Sequence, residues 1–195
     1  MKNKLSILFT LLVLISCSNE VETPVNKPKQ KLTKSQIQSQ MEALSDSLDK
    51  MTLDMLLSNG KMDKEQGIAL QTKISVARQE LINQNIEYFH SFPEDSLAPE
   101  SLINIYKLYD GIQAYQKALN YIDSLEHNYP NYEFLNEYLE LKAVTLDYFI
   151  QPRDTSIIRD AYEYLLSLPN LPSDRVKNYT SRLSNLDKDL NAFIP

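Results

Sequence analysis

The chain has little of what site chemistry is usually built from. Its 195 residues include one Cys, two His, three Gly and no Trp. A single Cys excludes an internal disulfide, and with only two His it argues against a zinc site. Gly60, Gly67 and Gly111 have the spacing of neither a dinucleotide-binding nor a P-loop fingerprint. Positive charge is also in deficit. There are 20 Lys and Arg against 26 Asp and Glu, a net charge of −6. That balance argues against sequence-independent binding to nucleic acid, which needs clustered basic residues. What is present is a 43% hydrophobic chain. That share is enough for a core, and the length suits one domain or a short repeat array. No metal, cofactor or nucleic-acid partner is expected.

Residues 1–16 read as an address. Lys2 and Lys4 precede an apolar run of about eleven residues, in the signal-peptide range and too short for a hydrocarbon core of about 30 Å. The run ends in Leu14, Ile15, Ser16 and Cys17, the only Cys following a small residue. This resembles a bacterial lipobox. The resemblance implies cleavage before Cys17 and lipidation of its thiol and new amino group. An ordinary secretory signal followed by a stray thiol is the alternative. Without residues 1–16 the net charge is −8, so acyl chains rather than a basic face would hold the chain to a membrane. Residues 17–32 contain Pro24, Pro28 and Lys27, Lys29 and Lys31, and read as an extended tether. Ser18, Asn19, Glu20, Val21 and Glu22 resemble, with only two acids, the acidic export signal of Bacteroidota surface lipoproteins. The expected location is the outer membrane, on its periplasmic side rather than the cell surface.

Residues 33–195 read as a single helical domain, because apolar positions recur at three and four. Thr33 with Gln36 forms a capping-box signature. Behind it Ile37, Met41, Leu44, Leu48, Met51 and Met55 make one narrow stripe. Asn59 and Gly60 supply a turn, and Asp63 opens a second long helix through Leu70, Ile74, Ala77, Leu81 and Tyr88. The two should pair as an antiparallel hairpin, with a coiled-coil dimer through the 37–55 stripe as the competing reading. Further helices are expected over about residues 99–110, 113–127, 133–150 and 155–168, the last capped by Asp154. The fifth is apolar over a wide arc and is expected to be packed on two sides. A seventh, opened by Pro172 and Ser173, carries one stripe of Val176, Tyr179, Leu183, Leu186, Leu190 and Phe193. Its other faces carry Asp174, Arg175, Lys177, Arg182, Asp187, Lys188 and Asp189, and a helix apolar on one side only at the end of an array has the form of a capping helix.

A repeat underlies the helices. Phe92-Pro93, Tyr129-Pro130 and Leu168-Pro169 close every second one, with prolines 37 and 39 residues apart. Ala118, Tyr121, Ser124 and Leu125 match Ala161, Tyr164, Ser167 and Leu168 at an offset of 43. A small residue lets paired helices approach, and the Pro turns the chain back. In one register Leu102, Ile105, Tyr109, Ala118, Ile122 and Pro130 fall on the Trp, Leu, Tyr, Ala, Phe and Pro positions of the tetratricopeptide consensus. The chain resembles the small tetratricopeptide lipoproteins of Bacteroidota over about residues 62–192. Tyr106 departs from the pattern, standing where the consensus has Gly or Ala.

The resemblance implies an all-α fold: an N-terminal helical hairpin, a short tetratricopeptide-like α-solenoid and a capping helix. It implies a non-enzymatic, lipid-anchored scaffold for a protein or peptide partner in the envelope, monomeric on its own, similar to accessory lipoproteins of outer-membrane protein assembly or secretion. A cell-envelope enzyme, for instance one acting on peptidoglycan, and a self-assembling coiled-coil lipoprotein are the alternatives. For the 12 Tyr, all after residue 87, a binding surface and a packed core both stand open. Tyr109 and Tyr121 are assigned to the core, and Tyr106, Tyr138 and Tyr148 to a groove. Under the usual repeat geometry Ile103, Lys107 and Asp110 would face its concave side. His90 and His127 each lie three residues before a Pro, where a contact with helix C-terminal carbonyls accounts for them better than catalysis does. Asp95-Ser96-Leu97 resembles a Bacteroidota O-glycosylation triplet in an accessible loop. The triplets at Asp46 and Asp123 are read as chance matches or helix caps.

Overall fold

The computed structural model describes residues 32–58, 61–169 and 171–188. The expected signal, Cys17 and residues 18–31 of the tether, the Asn59-Gly60 turn, and Leu190 and Phe193 lie outside them. The described residues are all-α, with seven helices and no strand. In order they are α1 (Lys34–Ser58), α2 (Lys64–Ser91), α3 (Ala98–Asp110), α4 (Tyr115–Asn128), α5 (Leu135–Tyr148), α6 (Thr155–Ser167) and α7 (Ser173–Leu183). Each helix packs on the next in sequence, as in a solenoid.

The helix ends follow the local chemistry read from the sequence. The Gln36 backbone N–H donates to Thr33 Oγ1 at 3.3 Å, and the Thr33 N–H donates back to Gln36 Oε1 at 2.8 Å, a closed capping box. Asp63 caps α2 through the Gln66 N–H at 2.8 Å. Asp154 caps α6 through the N–H groups of Ser156 and Ile157. Phe92, Tyr129 and Leu168 are the C-caps of α2, α4 and α6. Each precedes a proline, whose ring disfavours the helical region for the residue before it. The turns are therefore set by sequence, one per helix pair.

Two core clusters result. Leu48 packs with Ile74 and Leu81 between α1 and α2, so the expected α1 stripe is covered within the chain. The larger cluster runs through α3 to α6 and includes Leu102, Ala118, Ile122, Leu139, Ile158 and Leu186. Phe89 of α2 packs on the second cluster and Leu108 of α3 on the first, which joins them. Successive Pro turns also touch: Tyr129 Oη donates to the Pro93 carbonyl at 2.7 Å. At the start of the solenoid, Gln38 Nε2 donates to Tyr88 Oη at 2.8 Å, and Tyr88 Oη donates to Asp95 Oδ1 at 2.7 Å.

Several expectations are corrected. Ile103 and Tyr106 are buried in the core, not exposed on a concave face. Both point between helices: Tyr106 meets Tyr138 of α5 edge-on, with centroids 6.0 Å apart. The bulky residue in a small-residue position is thus accommodated by the next repeat. The fifth helix is packed on two sides, by α4 and α6, as expected, and a further flank stays open. Leu139 and Ala143 are buried while Leu141, Val144 and Tyr148 are exposed. The seventh helix stops at Leu183, and Leu186 enters the core from the turn beyond it, where its carbonyl accepts from Arg153 Nη1 at 2.7 Å. The Arg182 side chain is 12% exposed and that of Arg175 42%. Both reach back to acids on α5.

Candidate functional site

α1, α3 and α5 each open a helix pair and α7 follows the last pair; one groove opens between α1 and α3 and another between α5 and α7. The latter, of about 460 Å³, is walled by Val144 and Tyr148 of α5, Tyr162 of α6, and Asn178, Tyr179, Ser181 and Arg182 of α7. Its apolar wall exists because α5 carries more hydrophobic positions than α4 and α6 cover. Tyr148 is 47% exposed, and the Arg182 guanidinium lies 6.0 Å from its ring centroid. Tyr162 and Tyr179 stand 5.5 Å apart, centroid to centroid, at the base. Burial raises both phenols above their ordinary value. The Tyr179 phenol is pushed to about 12, with the neighbouring Glu140 carboxylate adding to the effect. Both hydroxyls therefore stay protonated at neutral pH. The groove offers aromatic faces, hydroxyls, amides and the Arg182 guanidinium.

Behind the groove is a buried polar lock. Asp147 on α5 has no exposed surface. Its Oδ1 accepts from Arg153 Nη2 at 2.8 Å and from Arg182 Nη2 at 2.7 Å, and its Oδ2 from Arg182 Nε and, at 3.4 Å, from Tyr162 Oη. Burial disfavours its charge, yet the hydrogen bonds from Arg182 and Arg153 outweigh that and hold the carboxyl below its ordinary value. α7 has no fully buried residue within the helix; these bonds, the Arg175–Glu140 ion pair, the partly buried Tyr179 and Leu183, and Leu186 beyond it hold the groove's outer wall.

The second groove, about 670 Å³, lies between α1 and α3 over α2. Glu42, Asp46 and Asp49 form one wall, Lys107 and Leu108 the other, and the buried Asn85 the floor. Asn85 donates to the Leu81 carbonyl at 2.7 Å and faces Asn104 Nδ2 at 3.5 Å.

The residues singled out from sequence do not form one site. Lys107 lines the α1–α3 groove and Tyr148 the α5–α7 groove. Tyr138 is half-buried between them against Tyr106. Asp110 is half-buried near Tyr106, whose phenol is pushed up to about 12 by burial and then by that carboxylate. Ser96 is exposed in the turn before α3. Its neighbour Asp95 is engaged by Lys34, Tyr88 and the Leu97 N–H, which together hold it at about 2. Tyr109 and Tyr121 stack at 5.8 Å against the core, as expected. His90 and His127 are exposed and apart from both grooves. Sequence reasoning missed Tyr162, Tyr179, Arg182 and Asp147. The available signal was an acid, Asp147, set among Val144, Leu146 and Tyr148 near the end of α5.

Among the described residues no group of three or more His, Cys, Asp or Glu side chains is placed to hold a metal ion. None of the described helices is long and apolar enough to cross a membrane. The chain matches no protein-family model, no curated protein and no solved structure.

Proposed function

We propose that the chain is a lipid-anchored envelope scaffold of tetratricopeptide type, not an enzyme, which holds an extended segment of a protein partner in the α5–α7 groove. The observation that carries this reading is the unpartnered aromatic groove itself, in which Val144, Tyr148 and Tyr179 offer apolar area beside the polar side chains of Asn178 and Ser181. Rigid aromatic rings give contact area at low entropic cost, and amides pair with extended backbone. Consecutive helix pairs closed by Phe92-Pro93, Tyr129-Pro130 and Leu168-Pro169 support the repeat assignment. Lipid attachment at Cys17 and a periplasmic face of the outer membrane rest on the signal alone.

A photoreactive amino acid at position 148, irradiated in intact envelopes, tests the reading. A defined protein adduct is expected at 148 and not at Tyr164, an exposed aromatic on α6 away from the groove. Equal or absent adducts at both positions would reject it.

A further inference from the structure

The far end of the α1–α2 hairpin carries aliphatic side chains that nothing in the repeat array uses. α1 and α2 have 25 and 28 residues, about twice the 13 of α3. Leu108, near the end of α3, packs at the Leu48–Ile74–Leu81 cluster. Beyond that point α1 runs on to Ser58, about 15 Å at 1.5 Å per residue. On this extension Leu53, Leu56 and Leu57 are 53%, 72% and 68% exposed, and Ile68 on α2 is 56% exposed. Single exposed leucines are ordinary, but three in one helical turn at a projecting end are not.

We propose that this end of the hairpin dips into the surface of a lipid bilayer. Its occupant is lipid rather than a second chain because of how the side chains are distributed. Leu53, Leu56 and Leu57 lie on the side of α1 turned away from the Met51–Met55 seam, while Ile68 lies on the side of α2 turned away from α1. A helical partner covers one flank of a hairpin, whereas an apolar medium entered end-on covers both. The four side chains sit within about 8 Å of the helix ends, matching the depth of about 5–10 Å reached by interfacial helices. Acidic and basic groups at the same level, Asp54, Asp63 and Glu65 with Lys61 and Lys64, nearly balance. The contact should therefore be apolar and indifferent to anionic lipid and to salt. Chain length permits it: residues 18–31 span at most about 46–50 Å when extended, more than the roughly 37 Å length of α1. An anchor at Cys17 and the hairpin end can thus share one bilayer, a point that rests on the lipid-anchored reading. The grooves would then be presented at a fixed height above the membrane.

The test compares two full-length chains labelled with a thiol-reactive fluorophore, Leu56→Cys and, on the exposed face of α6, Glu163→Cys. Both carry Cys17→Ser, so the dye reports one position and the result does not depend on the acyl anchor. With phosphatidylcholine vesicles containing brominated acyl chains, quenching at 56 is expected to exceed that at 163 at least threefold. Replacing phosphatidylcholine partly by phosphatidylglycerol, or adding salt, should leave the ratio unchanged. Leu53→Ser with Leu57→Ser should abolish the difference while circular dichroism stays unaltered, since both side chains are exposed. Equal quenching at the two positions overturns the proposal. So does concentration-dependent dye–dye emission at 56 without quenching, which would assign the leucines to a second copy. Anchoring is read separately, from whether Cys17 in the unmutated chain resists maleimide, so the two readings fail independently.

Discussion

Asp147 on α5 and Arg182 on α7 face each other through two hydrogen bonds, with Nη2 2.7 Å from Oδ1, at a point where the carboxylate has no solvent exposure. Arg153 occupies the other side of the same carboxylate. Removing one member leaves the remaining charge buried and unpaired. Asp147→Ala is expected to destabilise the protein by about 3–5 kcal/mol in urea titration, with hydrogen exchange of α7 accelerating first. Replacing Asp147, Arg153 and Arg182 together by apolar residues of similar volume should be milder than the single change. If Asp147→Ala unfolds at the same urea concentration as the parent, the lock does not hold α7.

Acid should release the same contacts. The Asp147 carboxyl is held below its ordinary value, and Asp95 is held at about 2. A carboxylate depressed in the folded state binds its proton more readily when unfolded, so its stabilisation is present above about pH 3.9 and lost as pH falls through the folded value. Tm is expected to be flat from pH 7 to 5 and to fall below pH 4. Asp95→Asn should make that fall shallower, and an unchanged slope would contradict the assignment.

The buried phenols set the alkaline limit. Tyr88 and Tyr106 are pushed to about 12, by burial first and then by Asp95 and Asp110 respectively. Groups raised in the folded state stabilise it below their unfolded value of about 10 and cease to do so as pH rises through about 12. Absorbance at 295 nm should show a fraction of the 12 Tyr ionising only as the protein unfolds. A single smooth titration near pH 10 would mean that these rings are solvated.

Ile103 and Lys107 are four residues apart on α3 and should behave oppositely. Ile103 is 1% exposed, so Ile103→Ala is expected to lose about 2–5 kcal/mol of stability. Lys107 is exposed, and Lys107→Ala should stay within about 0.5 kcal/mol. Chemical denaturation of the two variants decides this, and similar losses would mean that Lys107 is packed as Ile103 is.

In the α5–α7 groove, Tyr148→Ala should separate binding from folding. The ring is half exposed and its removal should cost less than about 1 kcal/mol, while adducts from a photoreactive group at position 178 should disappear. Persistence of those adducts would show that Tyr148 is not part of the docking surface.

The sequence by itself determined the helices and where they stop. Capping chemistry at Thr33, Asp63 and Asp154, and the restriction a proline imposes on Phe92, Tyr129 and Leu168, act over a few residues and need no tertiary context. The periodic positions Leu102, Ile105, Ala118 and Ile122 likewise went to the core, because a stripe of apolar residues has no other stable place. Only the tertiary structure decided which side of a doubly apolar helix would be covered. α5 offers two flanks, and the packing of α4 and α6 buried Leu139 and Ala143 while leaving Val144 and Tyr148 open. Only tertiary structure could bring Arg153 and Arg182 to Asp147, since the pairing joins residues up to 35 positions apart. A charge on a helix reads as solvated until the neighbour that buries it is known, and that neighbour is set by how the repeats stack.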